Sequence, residues 1–317
     1  MYTNININNL DTNDNHISKL LSNSWSNRVA VKTSNLDIAN YYDINIPDYP
    51  PGLVPFVEDS RYQNLKESTR KKILAGAWIS YNEKTINIEV SIVAPVCAFL
   101  LKGEFPGVNT DTLKRVIAQT QIDEQFHILM CLDACLITRK LHNLEELVIP
   151  ESLVVIKLQQ AIEEEKRPRD KMIVQLAFAC VAEVTINAYL DLLANDKEIQ
   201  PFNKETTNLH RKDEAAHHKI FKDIAKNVFT DLNTLEKKVF IKGLAKGLNA
   251  FTTIDFTAWR EILLFLNIDA ANDIVDQCLQ TMENKRVVRD YSGIRGILKE
   301  LCVSENELDF DFDFDEK

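Results

Sequence analysis

Two long apolar stretches of this chain each hold a single charge, and in both that charge is a glutamate. In TINIEVSIVAPVCAFLL, Glu89 is the only charge between Thr85 and Leu101; in IVQLAFACVAEVTINAYL, Glu183 is the only one between Ile173 and Leu190. Helices this apolar are packed on most sides, and an ionised carboxylate in the middle of one is too costly to leave unpaired. The fold must therefore bring a cation to each glutamate. It is either a lysine or arginine of a neighbouring helix or a metal ion.

Each stretch is followed by a helical segment carrying Glu-x-x-His: Glu124 and His127 in IDEQFHILM, Glu214 and His217 in KDEAAHHKIF. A spacing of three puts both side chains on one helix face. Four-helix carboxylate bundles build a dinuclear metal site from this set, with one glutamate from each of two helices and a Glu-x-x-His from each of the other two. Neither Glu-x-x-His segment has an obvious inward-pointing cation beside the motif, which favours metal over a salt bridge. At about 100° per residue, His210 falls with Glu214 and His217 within roughly a 60° arc, while His218 is turned away. The candidate metal ligands are thus Glu89, Glu124, His127, Glu183, His210, Glu214 and His217. Two ferrous ions balance four glutamates, so the reduced site is neutral, and on oxidation it gains charge that an oxygen-derived anion can offset. Carboxylate oxygens with imidazole nitrogens suit iron or manganese, and the absence of cysteine from the set argues against structural zinc or an iron-sulfur centre.

With 8 glycines and 9 prolines in 317 residues and few alternating stretches, a single all-α domain is expected. The 37 basic against 47 acidic residues, without a basic stripe, disfavour nucleic-acid binding. No uncharged apolar run of about 20 residues and no basic start with an apolar run are seen, so neither a membrane span nor a signal peptide is expected and the location is expected to be cytoplasmic. The six cysteines, lacking a Cys-x-x-Cys, read as reduced core residues.

Residues 1–60, rich in asparagine and aspartate and including YPPGLVPF, read as an irregular N-terminal arm. A ferritin-like helical domain follows over 61–303, with helices near 66–101, 110–141, 152–165, 169–195, 203–228, 233–266, 270–284 and 290–302. Pro95 should bend the first just past Glu89. Glu89 with Glu124, and Glu183 with Glu214, each stand one long helix and a turn apart, making two antiparallel hairpins; the last helices are additional and could close over the site. Residues 304–317, ending in LDFDFDFDEK, read as an acidic disordered tail. Tyr81 and Asn82, two turns before Glu89, are placed to line a substrate cavity. Gln121, Asn187 and Asp191 lie near ligand faces as candidates to orient them. His142 reads as a surface or capping histidine.

The series Glu89, Glu124-x-x-His127, Glu183, His210-x-x-x-Glu214-x-x-His217 closely resembles the AurF-like para-aminobenzoate N-oxygenases, a family of ferritin-like non-haem di-iron oxygenases, over roughly residues 60–300. The third histidine is the specific element. The resemblance implies two iron ions held by these seven residues, with no catalytic residue beyond them, and O2 as co-substrate. The amine nitrogen of a small molecule would be oxidised through hydroxylamine and nitroso stages toward nitro, in secondary-metabolite biosynthesis. It also implies a late arginine pairing with a substrate carboxylate, for which Arg289 is the best-placed candidate and Arg286 and Arg295 are rivals. The chain has neither a glycine-rich dinucleotide fingerprint nor an iron-sulfur cysteine set, so no bound flavin or haem is expected and electrons come from an external donor. A homodimer is compatible with such a chain. Two other readings of the same scaffold are a di-iron C–H hydroxylase or desaturase and an iron-storage ferritin relative. The arm and extra helices would obstruct a storage cage.

Overall fold

The computed structural model describes residues 16–33, 42–282, 286 and 290–312; these are mostly helical, with no strand among them. The arm supplies α1 (His16–Arg28) and α2 (Ala30–Thr33), and α3 (Ser60–Gln63) is a single turn. Helix α4 (Glu67–Ile88) passes into a π-helical turn, Glu89–Val93, and continues as α5 (Ala94–Leu101). Then come α6 (Asp111–His142), α7 (Leu153–Glu163), α8 (Pro168–Ala194), α9 (Pro201–Asp231), α10 (Thr234–Thr252), α11 (Phe256–Phe265), α12 (Ala271–Met282) and α13 (Ser292–Leu301).

Local chemistry sets the ends of the long helices. The Thr110 side chain accepts from the Leu113 N–H at the start of α6, and Asn143, at φ 54°, closes it in the left-handed conformation that asparagine tolerates. Prolines begin α8 and α9, where the missing N–H costs nothing. Asn233 and Glu236 form a reciprocal capping box at α10. The α4–α5 helix packs on α6, and α8 packs on α9, giving the two expected hairpins; α6 meets α9 across them, and α10 and α7 cover α8.

Several expectations are corrected. The arm is helical over 16–33, and α1 and α2 lie against α6 and α9. The expected 233–266 helix breaks at residues 253–255, where the Asp255 side chain accepts from the Thr257 N–H and starts α11 anew. His142 is a buried residue rather than a surface one, with its Nε2 2.7 Å from Tyr42 Oη and 2.8 Å from Asp48 Oδ2. The tail is packed as far as Phe312: Leu308 is buried, and Phe310 and Phe312 stack edge-on against Tyr291. Residues 313–317 lie outside the described residues. Two helices, Glu67–Leu101 and Pro168–Ala194, do reach membrane-spanning length and apolarity, each with a mean hydropathy of 1.6. They are the helices that carry Glu89 and Glu183, and core helices packed on most sides meet the same criterion.

Candidate metal centre

Glu89 stands at the first position of the π turn. Pro95 has no N–H to continue the α ladder, so the break needs a wider turn before it, and that turn begins on the glutamate itself rather than past it. Its carboxylate points inward together with those of Glu124 (α6), Glu183 (α8) and Glu214 (α9), and with the imidazoles of His127 (α6), His210 and His217 (α9). All seven are no more than 4 % exposed. Ligand-capable atoms of Glu89, His127, His210 and Glu214 lie within 4.8 Å of one another, as do those of Glu124, His127, Glu214 and His217, and those of Glu89, Glu124 and Glu183.

The contacts have the form of a cage. His127 Nδ1 is 2.8 Å from Glu124 Oε2 and 3.5 Å from Glu214 Oε1; His210 Nε2 is 3.1 Å from Glu214 Oε1 and 3.9 Å from Glu89 Oε1. His217 Nδ1 lies 2.9 Å from Glu124 Oε1, 3.4 Å from Glu214 Oε1 and 3.7 Å from Glu183 Oε2. Yet His217 Nδ1 and Glu124 Oε1, despite that short approach, lack hydrogen-bond geometry. Both are left without a hydrogen-bond partner, as are Glu89 Oε2, Glu183 Oε2 and Glu214 Oε2. Five buried orphans on side chains of one cluster are too costly for a structural polar network. They fit a cluster of cations that accepts lone pairs from all of them, and the oxygen and nitrogen donor set suits iron or manganese.

Protonation in the metal-free site supports this. Burial, with the facing carboxylates Glu124, Glu183 and Glu214, pushes Glu89 well above the usual range; burial with Glu214 and Glu124 does the same to Glu183. Burial also opposes ionisation of Glu124, but His217 and His127 outweigh it and bring the carboxyl down to about 2. Burial lowers His127, and Glu124 and Asp213 more than reverse that, raising it to about 9. Crowded carboxylates that resist ionisation beside imidazoles that favour it are what a cluster of cations would relieve.

Two residues of the centre are absent from the sequence reading. Asp123 and Asp213, both fully buried, each precede a ligand-type glutamate, and each faces the histidine of the opposite motif. Asp123 Oδ2 is hydrogen-bonded to His217 Nε2 at 3.2 Å, and Asp213 Oδ2 faces His127 Nε2 at 3.6 Å, an ion-pair distance beyond hydrogen-bond reach. An ionised carboxylate only accepts, so it favours the hydrogen on Nε2 and turns Nδ1 toward the cage. The signal was present in the chain, since both motifs read Asp-Glu-x-x-His.

Beside the cage lies a narrow pocket of about 250 Å³, counting its open mouth, lined by Thr85, Ile88, Glu89, Ala182, Glu183, Ile186, Glu214 and Phe251. Tyr81 is not in this wall. It sits one turn below Thr85, stacked on Trp78 at 5.3 Å and beside Tyr189, and its carbonyl accepts from the Thr85 hydroxyl. Asn82 is likewise held away, its amide donating to Trp78 O. Asp191 pairs with Arg211 at the surface at 2.6 Å instead of orienting a ligand. Gln121 and Asn187 are half-buried on α6 and α8, and half-buried His218 belongs to none of the ligand groups. Arg289 lies outside the described residues. Its rivals are engaged by the tail: Arg286 lies 3.9 Å over the Phe310 ring, and Arg295 pairs with Glu305 at 3.0 Å.

A family model described as P-aminobenzoate N-oxygenase AurF matches residues 11–301. A 4-aminobenzoate N-oxygenase of Streptomyces thioluteus is 34% identical over 297 residues, covering 92% of this chain and 87% of that protein.

Proposed function

The chain belongs to the P-aminobenzoate N-oxygenase AurF family, and from that premise we propose an oxygenase that uses O2 at two iron ions to oxidise the amine nitrogen of a small molecule. The observation that carries the reading is the buried cage of four glutamates and three histidines, with orphaned donor atoms on its side chains. In this reading Glu89, Glu124, Glu183 and Glu214 are the carboxylate ligands, and His127, His210 and His217 are the nitrogen ligands. The iron pair supplies the redox chemistry with oxygen, on electrons from an external donor.

The chain's own residues arrange that chemistry. Asp123 and Asp213 hold His217 and His127 with Nδ1 inward. Ile88, Ala182, Ile186 and Phe251 form an apolar wall that strips water from an entering aryl amine and leads its nitrogen toward the carboxylate end formed by Glu89, Glu183 and Glu214. The Thr85 hydroxyl already donates to Tyr81 O, so what it offers a ligand in the pocket is an acceptor lone pair for an amine N–H. The enzyme acts in the cytoplasm, within the assembly of a specialised metabolite. Its reduced, iron-loaded form should be exposed to oxygen with 4-aminobenzoate and a panel of other amines, and the products identified by mass. N-oxygenated products are expected. Ring or side-chain hydroxylation with the amine unchanged would replace this reading with a C–H hydroxylase.

A further inference from the structure

The N-terminal arm reaches both outer aspartates of the centre within seven residues. Trp25 Nε1 donates to Asp123 Oδ1 at 2.8 Å. The Ala30 N–H donates to Asp213 Oδ1 at 2.7 Å, and the Val31 N–H donates to Asp213 Oδ2 at 3.1 Å. Between them Arg28 is half-buried, with its Nε and Nη1 shielded from solvent and making no hydrogen bond, and it lies close enough to both aspartates for their charges to act on it. A fourth tie fixes the segment on α6, where the buried Gln119 amide donates to Ser22 O at 3.2 Å.

These contacts offset part of the charge that the two aspartates add to the centre. Two ferrous ions balance Glu89, Glu124, Glu183 and Glu214, but Asp123 and Asp213 add two buried negative charges beyond them. Arg28 supplies one positive charge that acts on both of them, and three N–H groups solvate the carboxylates where water is excluded. Each aspartate is thereby held between the arm and a histidine: Trp25 to Asp123 to His217, and Ala30 with Val31 to Asp213 to His127.

Resting on the di-iron reading above, we propose that the segment from Trp25 to Val31 is a positioning element of the metal centre. Through Asp123 and Asp213 it fixes the two histidines of the Asp-Glu-x-x-His motifs, and Trp25 and Arg28 are its positioning side chains. The Trp25 indole N–H reaches the centre at Asp123, on the His217 end. Its loss should therefore weaken one of the two metal positions more than the other, which loss of general packing would not do.

The test uses the full-length protein freed of metal and titrated anaerobically with ferrous iron. Trp25→Phe and Arg28→Met are compared with the unaltered chain, with iron counted and affinity measured against a competing chelator. Trp25 is half-buried and phenylalanine keeps an aromatic ring there while removing the N–H, so the metal-free thermal midpoint and helicity should stay close to those of the unaltered chain. Groups that orient metal ligands typically contribute 10–100-fold in affinity, and a residue one step further out should fall at the lower end, about tenfold. The expected result is two tight ions in the unaltered protein and, in Trp25→Phe, one tight ion with the second weakened about tenfold. Two ions at unaltered affinity in Trp25→Phe would overturn the proposal while leaving the di-iron reading intact, and the same result in Arg28→Met would remove Arg28 from the positioning element. Failure of the unaltered chain to take up two irons would remove both.

Discussion

Asp123 and Asp213 show how one residue can serve a helix other than its own. Each lies a single turn before the histidine of its own motif, yet its carboxylate faces the histidine of the other, so the two motifs lock each other. Sequence spacing reads a helix face and cannot read across the gap between α6 and α9, which is why the seven inner residues were legible and these two were not. Glu183 is the sharpest residue-scale test, because its helix has no other charge over a long stretch. Glu183→Ala should leave the helical circular dichroism signal largely unchanged and lower N-oxygenation by more than about 100-fold, beyond the range of outer-shell changes. Full turnover at normal iron content would make Glu183 a structural residue. A pH effect follows from the histidines. His127 is raised from 6.5 to about 9 in the metal-free fold, so its contribution to stability is complete below pH 6.5 and lost as pH rises through 9. Glu124 is lowered from 4.5 to about 2, so its contribution is present above pH 4.5 and lost on acidification toward 2. Metal replaces the imidazole protons, so the gap in thermal midpoint between iron-loaded and metal-free protein should widen from pH 6.5 to 9. A constant or shrinking gap would contradict the protonation scheme.

Among the elements, the long helices were legible because their periodicity and their prolines, Thr110 and Asn233 are local signals. The failures have physical causes too. The run through Thr252, Thr253, Ile254 and Asp255 lacks a glycine or proline to mark a stop; Asp255 caps α11 locally, and its Oδ2 also accepts from the Leu153 N–H, a long-range contact that helix periodicity does not show. The π turn at Glu89 depends on how the α4–α5 helix absorbs Pro95 while packed on α6, and α1 is polar enough to pass for coil until α6 and α9 give it a surface. The placement of α13 gives an element-scale prediction. A Cβ on Gly293 would stand 2.1 Å from the Val184 carbonyl oxygen, one residue from Glu183. Neither backbone can yield freely there, so Gly293→Ala should cost about 1–3 kcal/mol of stability in denaturant unfolding and reduce iron content along with it. Unchanged stability would mean that α13 is not seated on α8.

For the whole molecule, the bundle is organised around groups that oppose folding when left alone. Four glutamates, two aspartates and three histidines are buried together, and burial with the facing carboxylates opposes ionisation of Glu89 and Glu183. That arrangement makes structural sense if the cluster holds cations. The arm covers the cage at Asp123 and Asp213, and the pocket lined by Phe251 lies against Glu89, Glu183 and Glu214, where the proposed reading puts the substrate. Family membership ties this scaffold to nitrogen oxidation, and the cage is where that chemistry has to be housed. The most direct test is an anaerobic titration of the metal-free protein with 57Fe(II), followed by Mössbauer spectroscopy. Two high-spin ferrous ions per chain, converting on oxygen exposure to a coupled diferric pair, are predicted. Saturation at one iron per chain, or two irons that remain magnetically independent after oxidation, would contradict the account.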